Sequence, residues 1–244
     1  MNCLVNIRSV QASPDGQFSI GANIIRKWLK AGILETDGQV IHPLMGTPQG
    51  GNVSPILANI YLHYVLDEWF EETVRAHCTG HAYLCRYADD FVCAFQHDKD
   101  ARRFYKALIQ RLARFGLEVA ADKTQIIEFS HCKALAKTKF DFLGFEFRWI
   151  VGRSRKPLLM RRTSRNKLRA SLANFKAWFQ KHSGLAKKIL FAKLNRKLLG
   201  YYNYYGVTGN SQSLNSFVYQ VIGLLFKWLN RRSQQKSNKW EGSR

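Results

Sequence analysis

Two carboxylates stand side by side at Asp89 and Asp90, within Tyr83-Leu84-Cys85-Arg86-Tyr87-Ala88-Asp89-Asp90-Phe91-Val92-Cys93-Ala94-Phe95. The flanking residues are mostly aromatic, β-branched or small and apolar, which predicts a β-hairpin with the acids at its turn. Adjacent ionised carboxylates repel, and beside strands this apolar each also loses hydration. The pair is therefore costly unless a cation sits between or beside the two. Hard oxygen ligands suit Mg²⁺, which takes one or two carboxylates and fills its remaining positions with waters and substrate phosphates. That chemistry is phosphoryl transfer. The plainer reading is two solvated turn residues, since Asp is favoured in turns.

The elements around the hairpin have to hold those acids in place. Upstream lies Gly46-Thr47-Pro48-Gln49-Gly50-Gly51-Asn52-Val53-Ser54-Pro55. Gly50 and Gly51 let the backbone approach a ligand closely, and Gln49 offers both a donor and acceptors. Ser54 and Pro55 form an N-cap and first-turn pair, which predicts a helix over residues 54–76. Its apolar face would be Ile56, Leu57, Ile60, Tyr64, Leu66, Trp69 and Phe70, making it a buried core element. Downstream, residues 100–115 have helical spacing, with Phe104, Leu108, Ile109, Leu112 and Phe115 in one stripe and Gly116 as the stop. Residues 117–119 and 125–129 read as strands flanking Asp122-Lys123-Thr124. Helices beside antiparallel strands give an α+β fold. Before all this, residues 1–22 are poorly organised around a turn at Ser13-Pro14-Asp15-Gly16, residues 24–31 are helical and residues 39–41 strand-like. Residues 140–147 alternate aromatics as a single strand, with Gly144 at a bulge or close backbone approach.

Charge divides the chain. Residues 1–149 hold 17 Lys and Arg against 16 Asp and Glu, whereas residues 150–244 hold 21 against one acid, Glu241. The first region is an ordinary surface; the second is the electrostatic footprint of a protein that binds a polyanion, foremost nucleic acid. Beyond the basic loop at residues 152–157, three helical patterns follow at 164–181, 185–199 and 214–231. Tyr201-Tyr202-Asn203-Tyr204-Tyr205-Gly206 reads as an aromatic connector. The result is a small helical bundle with a basic exterior. Its candidate RNA-contacting residues are Arg161, Arg162, Arg165, Lys167, Arg169, Lys187, Lys188, Arg196 and Lys197. No apolar run is long enough to span a membrane, so no membrane partner is expected. The five cysteines contain no Cys-x-x-Cys pair, which fits a reducing, cytoplasmic setting. His77, Cys78 and His81 lack the matching second pair that a structural zinc would need.

The residues also carry a resemblance. Thr47-Pro48-Gln49-Gly50-Gly51, then Ser54-Pro55 with Asn59-Ile60-Tyr61-Leu62, resembles the loop and helix before the catalytic hairpin of group II intron-encoded reverse transcriptases and maturases. Tyr87-Ala88-Asp89-Asp90 is similar to the metal-binding signature of that family. Lys123-Thr124 and Phe142-Leu143-Gly144-Phe145 resemble the blocks that close its palm, and Leu194-Asn195 with residues 199–205 resembles its maturase region, which forms the thumb.

The resemblance implies a partial polymerase palm over residues 1–149, an antiparallel sheet with packed helices, followed by a basic helical thumb over 150–244. It implies an RNA-directed DNA polymerase with a maturase role, using Mg²⁺ on Asp89 and Asp90, and Lys123 beside the departing phosphate. Gln49, Gly50, Gly51 and Tyr87 would line the nucleotide and template. The implied partners are intron RNA, an RNA template with DNA primer, and dNTPs. Two departures stand against full activity. The family carries a third metal-binding Asp on an upstream palm strand, and residues 1–45 show nothing similar, Asp15 lying in a turn. The fingers blocks are missing too, so the chain resembles an amino-terminally shortened member. The alternative functions are a splicing cofactor that binds RNA without chemistry, or a degenerate remnant.

Overall fold

The computed structural model describes residues 3–7, 10–12, 33–34, 40–41, 54–131, 138–152 and 154–231. The chain forms two compact units, Met1–Ser130 and His131–Arg244. The architecture is mixed α+β with antiparallel sheets.

In the first unit, strands β1 (Cys3–Ile7), β2 (Val10–Ala12), β3 (Ile33–Leu34) and β4 (Val40–Ile41) precede helix α1 (Ser54–Leu62). Then come β5 (Ala82–Tyr87), β6 (Asp90–Phe95), helix α2 (Asp98–Arg114), β7 (Leu117–Val119) and β8 (Gln125–Glu128). The main sheet has the order β5-β6-β1-β8, with all neighbours antiparallel. Residues 1–22, expected to be poorly organised, thus supply a central strand. Its sequence, Cys-Leu-Val-Asn-Ile, lacks the strict alternation that marks a half-buried strand. The expected strand at 39–41 is β4; the turn at Ser13–Gly16, the helix over 24–31 and Gln49, Gly50 and Gly51 lie outside the described residues.

Helix α1 opens at Ser54, where the sequence places it, but the helical run to His77 is not uniform. Residues His63–Asp67 and Phe70–Val74 form wider π turns, and Arg75–His77 a 3₁₀ turn. Leu62, Leu66, Phe70 and Val74 recur every four residues and are all buried. On an α-helix that spacing drifts by about 40° per repeat, and wider turns remove the drift, keeping the four in line. The face expected from 3.6-residue spacing is accordingly wrong at Ile56, Ile60 and Tyr64, which are exposed. Arg111 of α2 donates from Nε to the Val65 carbonyl (3.1 Å) within the first π segment. Phe104, Leu108 and Leu112 of α2 are buried as expected, while Ile109 is exposed. Gly116 follows the helix at φ 64°, a left-handed stop that glycine takes without strain.

In the second unit, β9 (Lys139–Phe142), β10 (Phe145–Val151) and β11 (Pro157–Thr163) form an antiparallel sheet in the order β11-β10-β9. The single aromatic strand expected over 140–147 is instead a hairpin. Leu143 and Gly144 turn the chain with φ 49° and 80°, the pattern of a tight two-residue turn. The close approach expected at Gly144 exists at that turn: a Cβ there would meet Tyr205 Oη at 3.1 Å. Strand β11 was not anticipated behind the basic loop.

Helices α3 (Arg165–His182), α4 (Lys187–Tyr205) and α5 (Ser211–Asn230) match the three predicted patterns, with one correction. The tyrosines at 201–205 are not a connector. They are the last turns of α4, which passes through Gly200 and ends at Gly206. Tyr201 and Tyr205 are buried, and Tyr201 stacks on Phe217 with ring centroids 3.7 Å apart. Burial pushes the Tyr201 phenol up to about 12. Asn210, fully buried before α5, accepts from the Thr163 amide (2.8 Å) and donates to Thr163 Oγ1 (2.9 Å) and the Tyr205 carbonyl (2.8 Å).

Glu146 on β10 is also buried, between Lys139 Nζ and the Arg162 guanidinium, each 2.7 Å from a carboxylate oxygen. Burial alone would raise its pKa, but the two cations outweigh it and hold the carboxyl below its ordinary value. A lowered folded-state pKa gives stability that is present above the unfolded value and lost as pH falls through the folded one. Glu146→Gln should therefore cost about 2–3 kcal/mol near neutrality, the worth of charge-assisted bonds. In urea unfolding, that difference should shrink as pH drops below about 4, the ordinary Glu range. A difference constant from neutrality to pH 3 would contradict the assignment.

Candidate functional site

The chemistry-bearing residues of the first unit gather at one end of its main sheet. Phe91, Cys93 and Phe95 of β6 are buried, so the intervening Asp90, Val92 and Ala94 point to the opposite face. Their β5 partners on that face, Tyr87, Cys85 and Tyr83, are exposed. Tyr87 pairs with Asp90, and Ala88-Asp89 makes the two-residue turn between them. The predicted hairpin is thus present, with an exposed Asp89 at its tip and Asp90 opening β6.

Ala88 adopts φ 51°, a left-handed conformation in which an L side chain is strained. A side chain from the other face of the hairpin reaches this turn. Arg86 of β5 points toward the helical run and donates from Nε and Nη2 to the two Asp67 carboxylate oxygens, at 2.7 and 2.5 Å. Its Nη1 donates to Asn59 Oδ1 (2.8 Å) and to the Ala88 carbonyl (3.2 Å). The sequence reading missed this group. Its one local signal is a lone cation on the core-facing side of an apolar strand.

Lys123 closes a 3₁₀ turn, Ala121–Lys123, just before β8 and is exposed. The register aligns Val92, Asn6 and Gln125 across β6, β1 and β8. Asp90 and Lys123 each precede that row by two residues. They share one end of the sheet, separated by the width of β1, roughly 10 Å for two strand spacings. Among the described residues, no group of three or more His, Cys, Asp or Glu side chains could hold a metal ion.

The basic residues lie in the second unit. Arg161 is exposed on β11, Arg165, Lys167 and Arg169 on the first turns of α3, and Lys187, Lys188 and Arg196 on α4. Two of the nine are committed elsewhere as well. Arg162 is paired with Glu146, and Lys197 Nζ sits 4.9 Å from the centre of the Phe175 ring. No helix among the described residues is long and apolar enough to cross a membrane.

Comparison with known proteins finds two family matches, the first of which runs past Ser130 into β10 of the second unit. Residues 11–147 match the family described as Reverse transcriptase (RNA-dependent DNA polymerase), and residues 159–244 match the Group II intron, maturase-specific domain. The Group II intron-encoded protein LtrA of Lactococcus lactis subsp. cremoris is 26% identical over 281 aligned residues, covering 81% of this chain and 45% of that protein. A shorter match, 58% identical over 48 residues, is to the "Uncharacterized 91 kDa protein in cob intron" of Schizosaccharomyces pombe, covering 20% of this chain and 6% of that protein. The chain thus spans less than half the length of these relatives. A solved structure of Candida albicans telomerase with a fragment of telomeric RNA covers 81% of this chain and 34% of its own, at 14% identity and a TM-score of 0.40. With the reverse transcriptase match alone spanning more than half of its residues, the chain belongs to the family of group II intron-encoded reverse transcriptases and maturases.

Proposed function

We propose that this protein binds group II intron RNA through its carboxyl-terminal helices and carries, in its first unit, a reverse transcriptase metal-binding hairpin that among the described residues supplies only part of a ligand set. Residues 1–149 then correspond to a partial palm and residues 150–244 to the maturase-type thumb. The observation that carries the reading is a coincidence of family and charge. The segment matched by the maturase-specific domain, residues 159–244, holds 18 Lys and Arg against one Glu.

In the polymerase hairpin, Asp89 and Asp90 offer hard oxygen donors that fit Mg²⁺ with waters and phosphates completing its shell. When bound, the ion would polarise phosphoryl oxygens and make a coordinated hydroxyl a better nucleophile. The residues of the chain would do the positioning. Tyr87, exposed beside Asp90, would pack against a nucleotide, and Gln49, Gly50 and Gly51 would line the template and incoming dNTP. Lys123, at the same end of the sheet, would stabilise or protonate a departing phosphate. Strand β1 flanks β6 along most of its length, yet from Cys3 to Ile7 it supplies no carboxylate. A clamp on both the attacking and leaving oxygens needs more ligands than one hairpin tip provides. That favours RNA binding as the activity of this chain, with cDNA synthesis requiring a further carboxylate.

Two outcomes are expected. Replacing Arg161, Arg165, Arg169 and Lys187 together by Gln should weaken intron RNA binding by the full chain. It should also flatten the logarithmic salt dependence by roughly 0.7 for each phosphate that is no longer neutralised, the value for single strands. Filter-binding titrations across salt concentrations measure both, and an unchanged slope would contradict the interface. Primer extension on an RNA template with Mg²⁺ should stay at background for the full chain, and Asp89→Ala should leave RNA affinity within about twofold, because phosphate contacts dominate affinity. Robust extension that Asp89→Ala removes would overturn the incomplete-site reading.

A further inference from the structure

Positive-φ alanines persist only where the surroundings over-determine them, so the Ala88-Asp89 turn needs an external restraint. Arg86 supplies one. Its guanidinium is mostly buried on the helix-facing side of β5, and it bridges the helical run to the Ala88 carbonyl through four hydrogen bonds. We infer that Arg86, Asp67 and Asn59 form a positioning clamp that fixes the Ala88-Asp89 turn, and through it the Asp89 and Asp90 carboxylates. This inference rests on the reading of those two acids as the functional pair.

The geometry of the helical run is what makes the clamp available. Asn59 and Asp67 are eight residues apart, and on an α-helix they would diverge by roughly 80° around the axis. The π turn over His63–Asp67 is wider, which returns Asp67 to the side of the helix occupied by Asn59. Both then reach one guanidinium. The fork-on-fork pairing with Asp67 also fixes the plane of that guanidinium, so Nη1 is aimed at the Ala88 carbonyl rather than merely near it.

The clamp acts through shape and not through charge. The positive charge of Arg86 is matched by Asp67 at 2.5 Å, with His63 Nδ1 also 3.6 Å from the same carboxylate oxygen. It is therefore unavailable to neutralise Asp89 and Asp90. Lysine would keep the charge but offers a point donor in place of a planar fork, so it cannot serve Asp67, Asn59 and Ala88 together. A role in simple charge balance would survive Arg86→Lys; a positioning role would not.

The test is amide hydrogen exchange by NMR on the full chain without divalent ions, followed by Mn²⁺ titration read from water-proton relaxation. In Asp67→Asn and Arg86→Lys, exchange at Tyr87 and Asp90 should accelerate about tenfold, the scale of one charge-assisted hydrogen bond, with Cys93 and Phe95 unchanged. Mn²⁺ affinity should fall by a comparable factor in both variants and vanish in Asp89→Asn. Asn59→Ala leaves the ion pair intact and should accelerate tip exchange by about threefold, as for a weaker bond. It carries the test if Asp67→Asn loosens the whole unit. Tip exchange unchanged in Arg86→Lys and Asn59→Ala overturns the clamp. Mn²⁺ affinity indifferent to Asp89→Asn overturns instead the reading of the acids, and the clamp then stands or falls on the exchange rates alone.

Discussion

Burial of Phe91, Cys93 and Phe95 decides the direction of the other side chains in the hairpin. A strand has a side-chain period of two, so once these three face the helices, Asp90, Val92 and Ala94 must face away. Cross-strand pairing extends the rule to β5: Arg86, opposite Phe91, points to the helices, and Tyr87, opposite Asp90, points away. A slip of one residue would bury Asp90 among phenylalanines and expose Phe91. Core packing and presentation of the acids are therefore one constraint, and the cation that restrains the turn falls on the core side for the same reason.

The second unit solves a different problem, carrying a large excess of positive charge on a small core. Its interior is aromatic and aliphatic, with Phe175, Phe179, Tyr201, Tyr205 and Phe217 among the buried residues. Glu146, its one buried acid among the described residues, is flanked by two cations. Most of the other basic residues among those described lie on α3, α4 and β11, and no acid from residue 150 to residue 231 offsets them. Self-repulsion of such a surface costs stability, and a polyanion would relieve it. Packing interactions such as the Tyr201–Phe217 stack and the Asn210 hydrogen bonds have to hold the unit together against that repulsion.

Much of this was legible in the sequence, and what was not has physical causes. The hairpin announced itself because alternation and turn chemistry agree over residues 83–95. The three helices of the second unit did so because their apolar stripes are long. The buried face of the run after Ser54 was misjudged because two π turns shift its period, which no count at 3.6 residues per turn reveals. Leu143 at φ 49° hid a hairpin, since a branched aliphatic residue does not advertise a left-handed turn. Strand β11 reads as loop because Pro157 and its arginines mask a pairing that depends on β10. Asp67 and Asn59 lie 19 and 27 residues before Arg86 along the chain, so only the fold brings the three together.

On the proposed reading, recognition of RNA resides in the basic helices, independently of the carboxylate hairpin. Hydrogen–deuterium exchange of the full chain, with and without a folded group II intron RNA, tests it most directly. Protection should concentrate at residues 161–169 and 187–197, and should persist in Asp89→Ala. Protection confined to residues 54–130, or abolished by Asp89→Ala, would contradict the account.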